Sequence, residues 1–183
     1  MKRLVAFLKE FRSGTGGTVA IESMLLLPIL LWAYLAMFSF FDMMRQQSLN
    51  QKAAYTITDM LSRETQFIND TYITNAYQLF QTMVRANDNI ALRISVLKWD
   101  EGDDRFRVDW SKSRGGKSVL TDGGVANWKD RLPVMLSDER IILVETWNRY
   151  DIPFKIGMED FDMTTYVFTS PRFAPQLRFS NDG

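Results

Sequence analysis

The chain changes character abruptly near its start. From Ser23 to Phe41 there are 19 residues without a charge, SMLLLPILLWAYLAMFSFF. They are apolar on all sides of a helical projection, unlike the single stripe of a surface helix. At 1.5 Å per residue such a run is about 28 Å long, close to the ~30 Å hydrocarbon core of a bilayer. A transmembrane helix over residues 18–41 is therefore predicted, the alternative being a helix buried in a soluble core. The aromatic residues Trp32, Tyr34, Phe38, Phe40 and Phe41 gather in its second half. A cleaved signal peptide fits less well. Its apolar region is shorter and ends at small residues, whereas this one ends in Phe-Ser-Phe-Phe-Asp and the small residues precede it, from Ser13 to Thr18.

Beyond Phe41 the helix is expected to continue without a break. Met43, Met44, Leu49, Ala53, Ala54, Ile57, Met60 and Leu61 recur at three- and four-residue steps among polar residues, an amphipathic stripe. Asn69-Asp70 interrupts it, and Asp70 is the expected cap of a second helix whose apolar face carries Tyr72, Ile73, Ala76, Tyr77, Leu79, Phe80, Met83 and Val84. Both stripes read as core-facing, with a groove for a partner as the lesser reading. After Asn87-Asp88-Asn89 the period becomes two. Ile90, Leu92, Ile94 and Val96, then Phe106, Val108 and Trp110, flank a polar link at Asp100–Asp104, the pattern of a β-hairpin. Ser111–Gly124 reads as a loop and Val125–Leu136 as a short helix. Ile141–Tyr150 reads as a central strand, Thr165–Thr169 as another, and Arg172–Phe179 as an edge.

These elements predict an α+β fold: a long N-terminal transmembrane helix continuing into an exported domain in which helices pack on an antiparallel β-sheet. The expected divisions are a basic leader at 1–17, the membrane helix at 18–41, a helical segment at 42–88 and the sheet domain at 89–183.

Composition narrows the chemistry. The 183 residues include 22 Lys and Arg against 22 Asp and Glu, with no cysteine and no histidine. Disulfides, thiolate or imidazole metal sites, and His-dependent nucleophilic catalysis are excluded. The balanced charge disfavours nucleic-acid binding. Charge is nevertheless uneven around the apolar run. The leader has Lys2, Arg3, Lys9 and Arg12 against Glu10 alone, while Arg45 and Lys52 on the far side are offset by Asp42 and Asp59. Retention of positive charge on the cytoplasmic side then places the N-terminus inside and the C-terminal part outside.

Glu22 stands immediately before the uncharged run, after the apolar Val19-Ala20-Ile21. A helix starting near Thr18 carries it about one turn inside, where a carboxylate is costly unless paired or interfacial. One reading is an interfacial acid favoured by the helix dipole. The other follows from context. A basic leader, Gly17, Thr18-Val19-Ala20-Ile21-Glu22 and a long apolar helix together resemble the processing signal of type IV pilins and pseudopilins. That resemblance implies cleavage between Gly17 and Thr18 by a prepilin peptidase, which makes Glu22 the fifth residue of the mature chain. The stretch Gly17 to Pro28 (GTVAIESMLLLP) is similar to the N-terminal motif of the TadE-like family, minor pilins or pseudopilins of the Flp (tight-adherence) pilus. It keeps the glycine, the glutamate and the proline six residues later. It departs at Ser23, where an aromatic residue is usual, and at Met24, where alanine is usual.

The resemblance implies a structural protein of the bacterial inner membrane without cofactor or turnover. Its implied partners are a prepilin peptidase, other pilins or pseudopilins, a pilus assembly platform in the inner membrane, and the lipid bilayer. The new α-amino group at Thr18 is expected to pair with Glu22 of a neighbouring subunit and set its axial register. Pro28 removes a helical hydrogen bond; it is either a tolerated kink or a bend used in assembly.

Other candidate chemistry is weaker. The acids Asp100, Glu101, Asp103 and Asp104 lack EF-hand spacing and read as a solvated turn, with calcium binding the lesser reading. Glu159, Asp160 and Asp162 read likewise. Ser113–Ser118 lacks the first glycine of a phosphate loop. Glu139 and Glu145 have no evident partner. Two rival functions remain: a single-span protein with an exported ligand- or protein-binding domain, and an anchored enzyme using carboxylates.

Overall fold

Segments of differing polarity give a computed structural model that describes residues 18–86 and 88–181. The described part begins with helix α1, Thr18–Ser62, which runs through Pro28 without interruption. Two compact units are distinguished. Among the described residues, one comprises 18–42 with Ile152–Met158; the other comprises Met43–Asp151 (less residue 87) and 159–181.

In the first unit, α1 is the apolar rod expected from sequence. Its large side chains are not sequestered, from Met24 at 79% exposed to Phe40 at 47%. Inside the second unit the same helix becomes amphipathic. Asn50, Ala53, Ala54, Ile57, Thr58, Leu61 and Ser62 are buried, at the three- and four-residue spacing of one face. Helix α2, Asp70–Val84, follows. Its cap is Asn69 rather than the expected Asp70: the Asn69 side chain accepts from the Tyr72 N–H at 2.9 Å, and Asp70 is the first helical residue. Arg85 ends α2 in the left-handed region, and Ile73, Ala76, Phe80 and Val84 face the core.

Four antiparallel strands complete the unit: β1 (Ile90–Asp100), β2 (Arg105–Arg114), β3 (Arg140–Tyr150) and β4 (Phe161–Thr169), in the order β2-β1-β3-β4. A bulge in the β1–β2 ladder, where Val96 faces Trp110 and Leu97 faces Val108, leaves Asp109 as the extra residue. The helical face of the sheet packs Ile90, Leu92, Ile94, Val96, Ile142 and Val144 against α1 and α2. The opposite face is also covered. Leu97, Phe106, Ile141 and Leu143 form a second core with Leu120, Val125, Leu132 and Met135. That explains why β1 and β3 bury residues of both parities.

Several local expectations are corrected. β2 continues to Arg114, because its ladder with β1 outweighs the polar composition of Ser111–Arg114. The expected helix over Val125–Leu136 is absent. A single turn, α3 (Asp122–Val125), is followed by turns that drop Leu132 and Met135 onto the sheet. β4 begins at Phe161, earlier than Thr165. Arg172–Phe179 is no edge strand. Its Arg172 N–H donates to the Ser62 carbonyl at the end of α1 at 2.8 Å, and Phe179 forms an isolated parallel bridge with Ile68 in the connection between α1 and α2; Leu177 is buried and its carbonyl accepts from the Trp110 indole at 2.9 Å.

Candidate functional site

The uncharged stretch Ser23–Phe41 lies entirely within α1, so its backbone groups are positioned to pair along the helix itself, the arrangement lipid requires. Helix geometry and composition make this one helix near the N-terminus long and apolar enough to cross a membrane. Two polar features inside the run show how its backbone is accommodated. The buried Ser39 hydroxyl donates back to the Leu35 carbonyl at 3.0 Å. Pro28 has no N–H to offer the Met24 carbonyl one turn earlier.

Glu22 is exposed on α1, one residue before the run. Its neighbours one turn away on the same face are Thr18, Val19, Leu25 and Leu26. None carries a charge. Val19, Leu25 and Leu26 are 70%, 66% and 54% exposed, so the carboxylate projects from an apolar surface. Gly17 lies outside the described residues, and with it the Gly17–Thr18 bond proposed for cleavage. Of Thr18 only its helical backbone is described. Thr18 and Glu22 are thus one turn apart, about 6 Å along the axis.

Several of the remaining candidates of the sequence sit in ion pairs or accept backbone hydrogen bonds. At the β1–β2 turn, Arg107 donates to Asp100 at 2.6 Å and also contacts Asp103; Arg105 reaches Asp103 at 2.8 Å, and Lys129 pairs with Asp104. Asp100 is held below the ordinary carboxylate range, first by the Arg107 hydrogen bond and then by the Asp103 backbone N–H. These acids therefore face arginines and a lysine. Among the described residues no group of three or more potential metal ligands comes together. Asp162 faces Arg149 at 3.4 Å. Glu139 accepts the Leu136 N–H at 2.9 Å. In the Ser113–Ser118 stretch, Arg114 binds Asp70 at 2.8 Å and lowers its pKa. Gly115 lets two backbones approach: a β-carbon there would lie 2.1 Å from the Ile90 carbonyl oxygen.

Sequence reasoning missed the partner of Glu145. Cross-strand register places Arg93 directly opposite it, and both Arg93 Nε and a terminal guanidinium nitrogen reach one Glu145 oxygen at 2.6 Å. Arg93 also donates to the Ser118 carbonyl at 2.9 Å and lies 5.1 Å from the Trp147 ring centre. Only strand pairing could reveal this, since the two residues are 52 apart. Nearby, a cleft of about 370 Å3 is lined by Asn89, Ala91, Lys117, Trp147, Arg149 and Asp162, with Lys117 5.4 Å from the Trp147 ring centre. Comparison with protein-family models, with curated proteins and with solved structures yields no match.

Proposed function

We propose that this chain is a membrane-anchored pseudopilin or minor pilin of the TadE-like kind, cut between Gly17 and Thr18 by a prepilin peptidase. It is used structurally, without turnover, in assembling a Flp-type adhesion pilus. Its membrane helix spans the inner membrane once, with the leader in the cytoplasm and the α+β part outside. The observation that carries this reading is the placement of Glu22. A lone carboxylate projects from an apolar surface one helical turn beyond the proposed new terminus, and the same helix runs on to form part of a folded core.

Cleavage supplies what the acid lacks. A free α-amino group titrates near pH 8 and is therefore cationic at neutral pH. At an effective dielectric constant near 20, two unit charges 4 Å apart attract by about 4 kcal/mol, of which desolvation removes a large part. A pair between Thr18 of one subunit and Glu22 of the next corresponds to an axial offset of about 6 Å. A mismatched offset leaves both charges unpaired in lipid, so the pair selects register more than it adds affinity. The α+β part then supplies the surface that neighbouring pilins and the assembly platform recognise.

The test is Glu22→Ala in cells that make the pilus. Membrane insertion is expected to be unchanged and the amount of subunit recovered with sheared pili, or cross-linked to other pilins, to fall at least several-fold. Normal assembly by this variant refutes the pairing mechanism. A second reading, an anchored ligand-binding domain, is favoured by the polar cleft beside Trp147, where Lys117 and the Arg149–Asp162 pair converge. It predicts that Glu22→Ala changes nothing while Lys117→Ala and Arg149→Ala abolish ligand binding.

A further inference from the structure

A second apolar segment belongs to the same unit as the membrane helix. Residues Ile152–Met158, IPFKIGM, connect β3 to β4. Five of the seven are apolar and only Lys155 is charged, whereas Asp151 on one side and Glu159-Asp160 on the other are acidic. The segment is not packed away. Phe154 and Met158 are 39% and 46% exposed, Pro153 is exposed, and Ile152 and Ile156 are half-buried. Its anchor is Phe38 on α1. The Phe154 ring meets the Phe38 ring edge-on, with centroids 5.9 Å apart and planes at 69°. Phe38 lies three residues before the end of the uncharged run, about 4.5 Å along the helix axis. Gly157, at φ +98°, provides the left-handed turn that closes the segment back toward Met158.

Strand connections ordinarily expose polar residues to water. This one exposes apolar residues at the axial level where α1 passes from uncharged to charged sequence. We infer that Ile152–Met158 is an interfacial loop that enters the lipid leaflet beside the Phe41 end of α1. This rests on the reading of Ser23–Phe41 as a membrane span. Phe154 and Met158 lie among the upper acyl chains, and Lys155 extends its ammonium to the headgroup phosphates. Asp151, Glu159 and Asp160 limit the depth, because carboxylates resist transfer into hydrocarbon. With acids on both flanks, insertion is driven by apolar area and needs no anionic lipid. The loop and the aromatic end of α1 thus form one composite anchor that fixes how deeply the helix sits.

The absence of cysteine from the chain allows a direct test with the full-length protein in zwitterionic phosphatidylcholine vesicles. Single variants Phe154→Cys, Met158→Cys, Ala33→Cys and Val134→Cys are labelled with an environment-sensitive fluorophore, and quenching by nitroxide-bearing lipids is measured. Labels at 154 and 158 are expected about 5–10 Å inside the headgroup boundary, the label at 33 deeper, and the label at the fully exposed Val134 in water. If 33 is quenched while 154 and 158 behave like 134, the loop inference is overturned and the span stands. Labels at 154 and 158 that are shielded from water yet unquenched by lipid overturn it equally, showing a protein cover. If 33 is also unquenched, the span itself is refuted.

Discussion

Removing the Glu145 carboxylate probes how the sheet is held together. Glu145 and Arg93 are nearly enclosed, with side chains 7% and 12% exposed, and two guanidinium N–H groups converge on one carboxylate oxygen. Truncating one member of a buried pair leaves an uncompensated charge, which costs about 3–5 kcal/mol. In Glu145→Ala the stranded guanidinium keeps the Ser118 carbonyl and the Trp147 face, so a loss of about 2–4 kcal/mol is expected. At about 2–4 °C per kcal/mol for a chain of this size, the melting midpoint should drop by roughly 4–16 °C. The assay is thermal and urea unfolding of the full chain in detergent micelles, followed by circular dichroism and tryptophan fluorescence. The double variant Arg93→Met with Glu145→Leu should regain most of the loss, since apolar replacement of a buried pair is often neutral. A loss below about 0.5 kcal/mol for Glu145→Ala, the scale of an exposed pair, would refute the argument.

Three further outcomes follow from the same geometry. Gly115→Ala forces a β-carbon against the Ile90 carbonyl at φ +85° and should destabilise by about 2–4 kcal/mol; Gly116→Ala, at φ +84° with open space around it, should cost about 1 kcal/mol by the same unfolding assay. Asp70 and Asp100 have folded pKa values depressed by Arg114 and Arg107 hydrogen bonds. Their stabilisation is present above the ordinary carboxylate value near 3.8 and is lost as pH falls through the depressed values. The unfolding midpoint should therefore be insensitive to these groups at neutral pH and fall in acid. Asp70→Asn and Asp100→Asn should reduce that acid dependence, and high salt should weaken it. Pro28→Ala supplies an N–H to the Met24 carbonyl, so the amide at 28 should show slow hydrogen exchange in micelles, whereas fast exchange there would contradict a continuous α-helix.

The sequence was most readable where one physical signal dominates. The uncharged run, the continuation of α1, and the apolar faces of α2 and β1 follow from periodicity and charge alone, because each buries or exposes a whole face. Cap and boundary residues followed less well, since Asn69 and Asp70 are both capable caps and only geometry selects Asn69. The Val125–Leu136 segment misled because its apolar residues serve as a cover over the second sheet face, and its backbone closes only isolated turns, such as Leu132 N–H to the Trp128 carbonyl, rather than a continuous helix. Arg93 and Glu145 carry no local signal, because their partnership is created by strand register. Of the candidate site, Glu22 and Pro28 were readable as residues on an apolar helix. The Ile152–Met158 segment was not, because its apolar residues gain meaning only from the contact of Phe154 with Phe38.

The central claim is that a peptidase creates the cation that Glu22 awaits. Intact-mass measurement and N-terminal sequencing of the chain purified from the membranes of its own cells tests this most directly. The account predicts a polypeptide that starts at Thr18 and lacks the mass of residues 1–17. A chain that still starts at Met1, in cells with an active prepilin peptidase, would contradict it.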